Sequence, residues 1–279
     1  MRCLLRMKQS HFVRLLALMI ISLTGACSPV SHSARTEDTF RVMTYNIRHA
    51  EGMDGRINVE RIADLIKSER ADIVTLQEVD RHVERTQRRD LPGELAILTG
   101  MHCVFSNNYF FQGGEYGNVV LTRFPILQST NLHYQVHPTA EVRGLLQVVM
   151  RVQGRKLCFM ATHLDSGRED SARWSSLDEM EAALAHQSVR PVLFCGDFNA
   201  TPSTRIYHRL HDTWQDSWET VGTGNGFTIP SDHPSRQIDY IWLSGKEWLE
   251  PLRASVPDSQ ASDHRPLVVE FRWKRQPHD

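Results

Sequence analysis

Eight polar residues sit where short apolar runs stop or start, and this recurrence constrains the fold more than any other feature. F-R-V-M-T-Y-N-I carries Asn46 at its end, A-D-I-V-T-L-Q stops at Glu78, and K-L-C-F-M-A-T stops at His163. V-L-F-C-G stops at Asp197, with Asn199 two places on. The run Ile238–Leu243 begins beside Asp239, and Leu267–Phe271 follows Asp263 and His264. Apolar runs of this length, bounded by turn-forming residues, read as buried strands. Polar groups gathered at strand ends mark the rim where open sheets build their sites.

Gly117–Thr122 and Leu145–Val152 read as further strands. Val59–Ser68 carries Ile62, Leu65 and Ile66 at helical spacing behind a candidate N-cap, Asn58. Ala172–His186 places Leu177, Met180 and Leu184 on one helical face, and Leu95–Gly100 reads as the end of another helix. Many strands and few helices in mixed order predict an α/β sandwich of sheets with outer helices. No repeat or second domain is visible, so 39–274 is read as one domain. Gln112–Gly114 and Gly222–Gly226 are expected to be the most mobile loops. Phe110 and Phe111 are expected in the core, the alternative being an exposed apolar tip that touches lipid.

The chain has 279 residues and opens with a basic segment, Arg2 to Arg14, then an apolar run, Leu15–Leu23. That run is too short to span a membrane as a helix and reads as an export signal. Leu23-Thr24-Gly25-Ala26-Cys27 resembles a lipobox, although its leucine lies one place further upstream than usual. We therefore expect residues 1–27 to be a signal peptide, Cys27 to be lipidated, and 28–38 to be a polar tether. The alternative is an ordinary secretory signal cleaved nearby, for example after Ser33. Either way the protein is expected to be exported; with Cys27 lipidated it is a lipoprotein of the bacterial envelope, in the periplasm or at the outer membrane.

The net charge of −1 provides no global basic field of the kind that holds proteins on nucleic acid. Arg81–Arg89 is the one basic run, read as a solvated loop rather than a phosphate track. Cys103, Cys158 and Cys195 show no zinc or disulfide-framework spacing, and a single bridge among them stays open.

The stretch G-D-F-N-A-T-P, Gly196–Pro202, poses the functional question. A strand points residues i and i+2 the same way, so Asp197 and Asn199 could face one metal or phosphoryl group. They could equally form an Asx turn that merely closes the strand. The motifs V-M-T-Y-N-I-R, I-V-T-L-Q-E-V-D, A-T-H-L-D, G-D-F-N-A-T-P, Q-I-D-Y-I-W and S-D-H-R-P-L, in this order from about Phe40 to Phe271, resemble the endonuclease/exonuclease/phosphatase (DNase I-like) superfamily. The resemblance implies a four-layer αββα sandwich and Mg²⁺- or Mn²⁺-dependent hydrolysis of phosphate esters.

By the same resemblance, Glu78 is the metal carboxylate, Asn46 touches metal or phosphate, and Asp263 completes the cluster through water. Asp197 orients or deprotonates the attacking water, and Asn199 donates to the phosphoryl group. Asp239 fixes the tautomer of His264, whose charge state is left open. His163 binds a non-bridging oxygen or assists the leaving group. Arg143 either clamps phosphate or pairs with Glu141. Arg48 either faces substrate or is solvated, and Asn118, in Tyr116-Gly117-Asn118, lies near the site. The pairs His133/His137 and His208/His211 have no accompanying carboxylate at a fitting place and are read as surface residues. The expected function is a phosphodiesterase acting on a phospholipid, a sphingolipid or a small diester. The rivals are a nuclease, a sugar- or inositol-phosphate phosphatase, and a non-catalytic binder. Oligomeric state is not legible.

Overall fold

The computed structural model describes residues 38–135 and 141–275. The signal, lipobox and tether readings up to residue 37, and His137, lie outside them. The elements run β1 (Thr39–Asn46), α1 (Val59–Ser68), β2 (Ile73–Arg81), α2 (Leu91–Thr99), β3 (His102–Phe111), β4 (Gly114–Thr122), β5 (Ile126–His133), β6 (Gly144–Val152) and β7 (Arg155–His163). They continue with α3 (Ser171–Ala185), β8 (Val192–Asp197), α4 (Arg205–His211), β9 (Gln215–Asp216), α5 (Ser217–Val221), β10 (Asp239–Ser244), β11 (Leu249–Ser255) and β12 (Leu267–Trp273).

Two six-stranded sheets result, in the orders β11-β12-β1-β2-β4-β3 and β5-β6-β7-β8-β10-β9. Each has one parallel pair, β1/β2 and β7/β8, bridged by α1 and α3. Parallel neighbours need such a crossover, and the remaining pairings are antiparallel. Phe40, Val42, Phe159, Leu193, Ile241 and Val269 pack between the sheets. Met43, Tyr45, Val74 and Leu76 pack under α1 and α2, and Met160, Phe194 and Trp242 pack with Leu177 and Leu210 of α3 and α4. The result is the expected four-layer αββα sandwich.

Because both faces of the central strands are buried, they read as nearly continuous apolar runs. Alternation still sorts them. On β1, Phe40 and Val42 face the other sheet while Met43 and Tyr45 face the helices. Asn46 shares the parity of Val42, Asp197 that of Leu193 and Cys195, His163 that of Phe159 and Ala161, and Asp239 that of Ile241. The pleat therefore delivers all four polar side chains to the inter-sheet face at one rim.

Several expectations are corrected. β2 runs on to Arg81 rather than stopping at Glu78, and β3, β5, α4 and β11 went unread. β3, β5 and β11 lie at or beside sheet edges, where one face meets water and no apolar run forms. β11 also carries Pro251, which edge strands tolerate. Gln112 and Gly113 are the two-residue turn of the β3–β4 hairpin, both at positive φ (45° and 73°), as a type I′ turn requires. Phe110, expected in the core, is 78% exposed on that hairpin. Cys103, Cys158 and Cys195 are all free.

Glu270 of β12 ties three strands together. It accepts from Arg41 Nε of β1 (3.2 Å) and Arg253 Nε of β11 (2.8 Å). Burial pushes its carboxyl up, but the bonds and charges of Arg253, then Arg41, outweigh this and hold it below its ordinary value. A depressed carboxyl stabilises the fold above the unfolded-state pKa of about 4.3, and this contribution is lost as pH falls through the folded value. Glu270→Gln is expected to lower stability by about 1–2 kcal/mol at neutral pH. Denaturant titrations should show wild type and variant converging as pH falls through the folded-state value.

Candidate active site

The C-terminal ends of β1, β2, β7 and β8 meet the start of β10 and the loop before β12, and the polar residues of the rim converge there. Glu78 arrives by a different route from the others. Its parity matches Leu76, which packs under the helices. A bulge between Leu76 and Val79, with Glu78 at φ 59°, re-aims its side chain toward the rim. Bulges that turn a side chain in this way are common beside active sites.

Asp197 is the hub. Its Oδ1 accepts from the backbone N–H of Asn199 (2.9 Å), so the Asx turn is real. That turn, with Asn199 at φ 47°, sets the direction of Asn199, because the strand has already ended at Asp197. Oδ2 is left facing the cavity. It accepts from Asn46 Nδ2 (3.1 Å) and lies 3.5 Å from His163 Nε2 and 3.7 Å from His264 Nε2. Burial, then the neighbouring Asp239 charge, push the Asp197 carboxyl up to about 7 against the opposing pull of His264, Asn199 and Asn46.

Asp239 lies opposite Asp197 in the β8–β10 register. It accepts from Thr228 Oγ1 (2.6 Å) and from His264 Nδ1 (2.8 Å), both at Oδ2. Burial alone would strip the proton from His264. The Asp239 charge and hydrogen bond, then Asp197 and Asp263, reverse this and raise it to about 10. His264 is therefore a cation at neutral pH, donating from Nδ1 and presenting Nε2–H to Asp197. His163 is the converse: burial, Arg143 and His264 hold it well below its ordinary value. Arg143 Nη1 donates to its Nδ1 (2.8 Å), which leaves the hydrogen on Nε2. Asn199 Nδ2 donates to the Leu164 carbonyl (3.0 Å) and lies 3.2 Å from His163 Nε2.

Asn46 Nδ2 also donates to Glu78 Oε1 (3.0 Å), while its Oδ1 accepts the Arg48 N–H (3.1 Å). Ser262 Oγ bonds both the Asn46 carbonyl (2.8 Å) and Asp263 Oδ1 (3.2 Å), which brings Asp263 to the same corner. Neither Glu78 nor Asp263 has an ion-pair partner among the described residues. Two carboxylates free of direct ion pairs, beside an amide oxygen, fit a hard divalent ion such as Mg²⁺ or Mn²⁺. Asp197, Asp239 and His264 also place donor atoms within 4.8 Å of one another. A protonated histidine already supplies the positive charge there, so that trio reads as a hydrogen-bonded relay.

A cavity of about 290 Å³ opens over these groups, with Glu78, Arg143, His163, Asp197, Asn199 and His264 in its wall. A larger depression of about 450 Å³ at the other end of β10, around Asp216, Glu219 and Lys246, contains none of them. Arg143 does both things expected of it: it faces the cavity, only 5% exposed, and pairs with Glu141 (2.7 Å). Asn118, 1% exposed, shares the face of the cavity residue Tyr116 on β4, and its amide has no partner among the described residues. Arg48 is not in the cavity wall. Its side chain pairs with Glu51 (3.3 Å), while its backbone orients Asn46. His208 and His211 lie on the surface, as does His133.

Three of the four arginines of the basic run are paired with acids: Arg81 with Glu115, Arg85 with Asp80, and Arg89 with Glu94. Arg85 nevertheless lines the cavity, as do Tyr109 and Phe111 of the hairpin. Sequence reasoning missed all three as site residues. The available signal for Arg85 was Asp80, a second acid two places beyond Glu78 on the same strand.

Two mixed sheets with outer helices and a rim of acids, amides and histidines define a hydrolase-like αββα protein. Residues 43–264 match the model of the Endonuclease/Exonuclease/phosphatase family, and the chain belongs to that family. It is 28% identical to YbhP of Escherichia coli K12 over 247 residues, 84% of this chain and 96% of YbhP. It is 27% identical to the 5′-tyrosyl-DNA phosphodiesterase of Caenorhabditis elegans over 194 residues, 66% of this chain and 49% of that one. In three dimensions it is similar to the Bacteroides thetaiotaomicron mannosyl-6-phosphatase Bt3783, with a TM-score of 0.69 at 18% identity, covering 83% of this chain and 99% of that one. Members of this family are phosphoesterase hydrolases.

Gly196 holds β8 against β7 directly beneath Asp197. Its φ is +150°, and a Cβ there would lie 2.0 Å from the Thr162 carbonyl oxygen. Gly196→Ala is expected to cost at least about 2 kcal/mol, a fall in Tm of roughly 4–8 °C in a thermal melt.

Proposed function

We propose that the protein is a divalent-metal-dependent phosphodiesterase whose substrate is a lipid or small diester rather than nucleic acid. The observation that carries this reading is Asp197, a buried carboxylate near its protonation midpoint, with hydrogen-bond donors around one oxygen and the other oxygen held in a turn. Glu78 and Asp263, with Asn46, would hold Mg²⁺ or Mn²⁺. Such an ion polarises a phosphoryl oxygen and stabilises the departing alkoxide.

Asp197 Oδ2 accepts the proton of a water aimed at phosphorus. Its raised pKa favours this, since a general base works best near the operating pH. The imidazolium of His264 and the Nε2–H of His163 donate to non-bridging oxygens as charge accumulates on them. Asp239 and Arg143 hold these two rings in opposite protonation states. The Asn199 amide supports the anion without the repulsion a second carboxylate would bring. A non-nucleic substrate is supported by the pairing of Arg81, Arg85 and Arg89 with acids and by the net charge of −1. The N-terminal segment ending at Cys27 supports an enzyme anchored to envelope lipid. The full complement of acids, amides and histidines argues against a non-catalytic binder.

Hydrolysis by residues 28–279 of sphingomyelin, phosphatidylinositol, inositol phosphates, bis-p-nitrophenyl phosphate, plasmid DNA and RNA, with Mg²⁺, Mn²⁺ or EDTA, tests this. EDTA-sensitive turnover of a lipid or small diester is expected; turnover of DNA or RNA alone would overturn the substrate class. Glu78→Gln is expected to raise the metal concentration needed for half-maximal rate, and wild-type behaviour at equal metal would contradict the metal role. His264→Ala is expected to lower turnover by about 10²–10⁴-fold with the circular dichroism spectrum preserved.

A further inference from the structure

The cavity has a further cationic group that the proposed chemistry does not use. Arg85 follows β2, the strand that carries Glu78. Its Nε and Nη2 donate in parallel to the two oxygens of Asp80 (2.8 Å each), a carboxylate with no exposure at all. Its backbone N–H donates to the Gln112 side chain (3.1 Å). Its guanidinium lies 4.8 Å from the Phe111 ring centroid and 5.6 Å from that of Tyr116. The group is thus gripped along one edge by a buried acid and supported by two rings. Nη1 makes no hydrogen bond among the described residues, and the side chain keeps 29% exposure in the cavity wall.

An arginine held in this way has already lost its rotamer freedom, and its open edge matches an oxygen anion. The donors expected at the reacting phosphate, His163, His264, Asn199 and Arg143, are all joined to Asp197 directly or through one another. Arg85 makes no hydrogen bond with any of them among the described residues. We propose that Arg85 is a specificity-determining residue that binds a second anionic group of the substrate, a phosphate monoester or comparable oxyanion separate from the phosphorus under attack. This rests on the phosphoesterase reading of the same site and narrows its substrate class to doubly anionic esters. The rings of Phe111 and Tyr116 wall the subsite from the side of the β3–β4 hairpin.

The test uses a homologous ligand series, so that spacing is scanned rather than guessed. Alkane-α,ω-bisphosphates of two to six carbons are compared with the matching alkyl monophosphates. Affinity is measured by calorimetry and by inhibition of bis-p-nitrophenyl phosphate hydrolysis. Wild type is expected to prefer the bisphosphate by about 10-fold or more at its best spacing, the usual worth of a charge-assisted hydrogen bond. Arg85→Gln should bring the ratio to within about two-fold. The double variant Asp80→Asn/Arg85→Gln should do the same without leaving a buried unpaired acid, and a ratio between two ligands is insensitive to the fraction folded. No preference in wild type either at any spacing or on the vesicles described below, or a preference that survives in both variants, overturns the proposal.

Vesicles bearing phosphatidylinositol or its 4-phosphate form a second arm. An Arg85-dependent preference confined to vesicles makes the second anion a membrane headgroup, whereas one in the soluble series makes it a free ester. An Arg85-dependent preference without any hydrolysis would sink the phosphoesterase reading and keep this one. Metal-dependent hydrolysis without that preference would do the reverse.

Discussion

Two buried carboxylates opposed across neighbouring strands are the constraint on which this structure turns. Asp197 and Asp239 face one another in register on β8 and β10, almost without exposure. Like charges this close, away from water, repel by several kcal/mol at an effective dielectric near 20. The surrounding groups answer that repulsion. His264 takes a proton and stands between the acids, Thr228 caps Asp239, and Asn46 with the Asn199 N–H satisfies Asp197. Asp239 thereby gives its Oδ2 to His264 and Thr228, while Asp197, at a pKa near neutrality, turns its Oδ2 to the cavity. Two chemically identical side chains acquire different capacities from their partners alone.

The opposite corner is built from backbone strain. Glu78 reaches the rim through a bulge and a left-handed residue, and Asn46 is followed by Arg48, His49 and Ala50 at φ 44°, 43° and 64°. Each such non-glycine residue costs about 1–2 kcal/mol. Strain of this kind persists only where packing over-determines it, here between the inter-sheet core and α1. The gain is a carboxylate and an amide aimed at one point that regular strands, with their fixed alternation, would have sent to opposite faces.

Much of the site was legible because it obeys the pleat. Asn46, His163 and Asp197 close, and Asp239 opens, runs whose alternate residues are core, so strand ends and side-chain direction could be inferred together. The Asx-turn and functional readings of Asp197–Asn199 proved compatible, since one oxygen serves each. What was not legible depends on contacts remote in sequence. Arg85 sat in a run that looked like a solvated loop, and only Asp80 and the hairpin rings place it in the cavity. Phe110 looked like core by composition, yet it lies on an outer strand of its sheet with nothing over it. β3, β5 and β11 escaped notice because strands at or beside sheet edges need no continuous apolar run.

The sequence by itself determined the layer architecture, the family and the identity of the polar residues at the rim. Local periodicity and the order of strand-end motifs are properties of the chain, readable without knowing what packs on what. Only the tertiary structure decided protonation, direction and pairing: which histidine carries charge, which acid faces the cavity, where Glu78 points, and which arginine is left with an open edge. Those depend on burial and on charges brought together from strands as much as about 200 residues apart, and electrostatic energy in a low-dielectric interior is set by distance in space rather than along the chain.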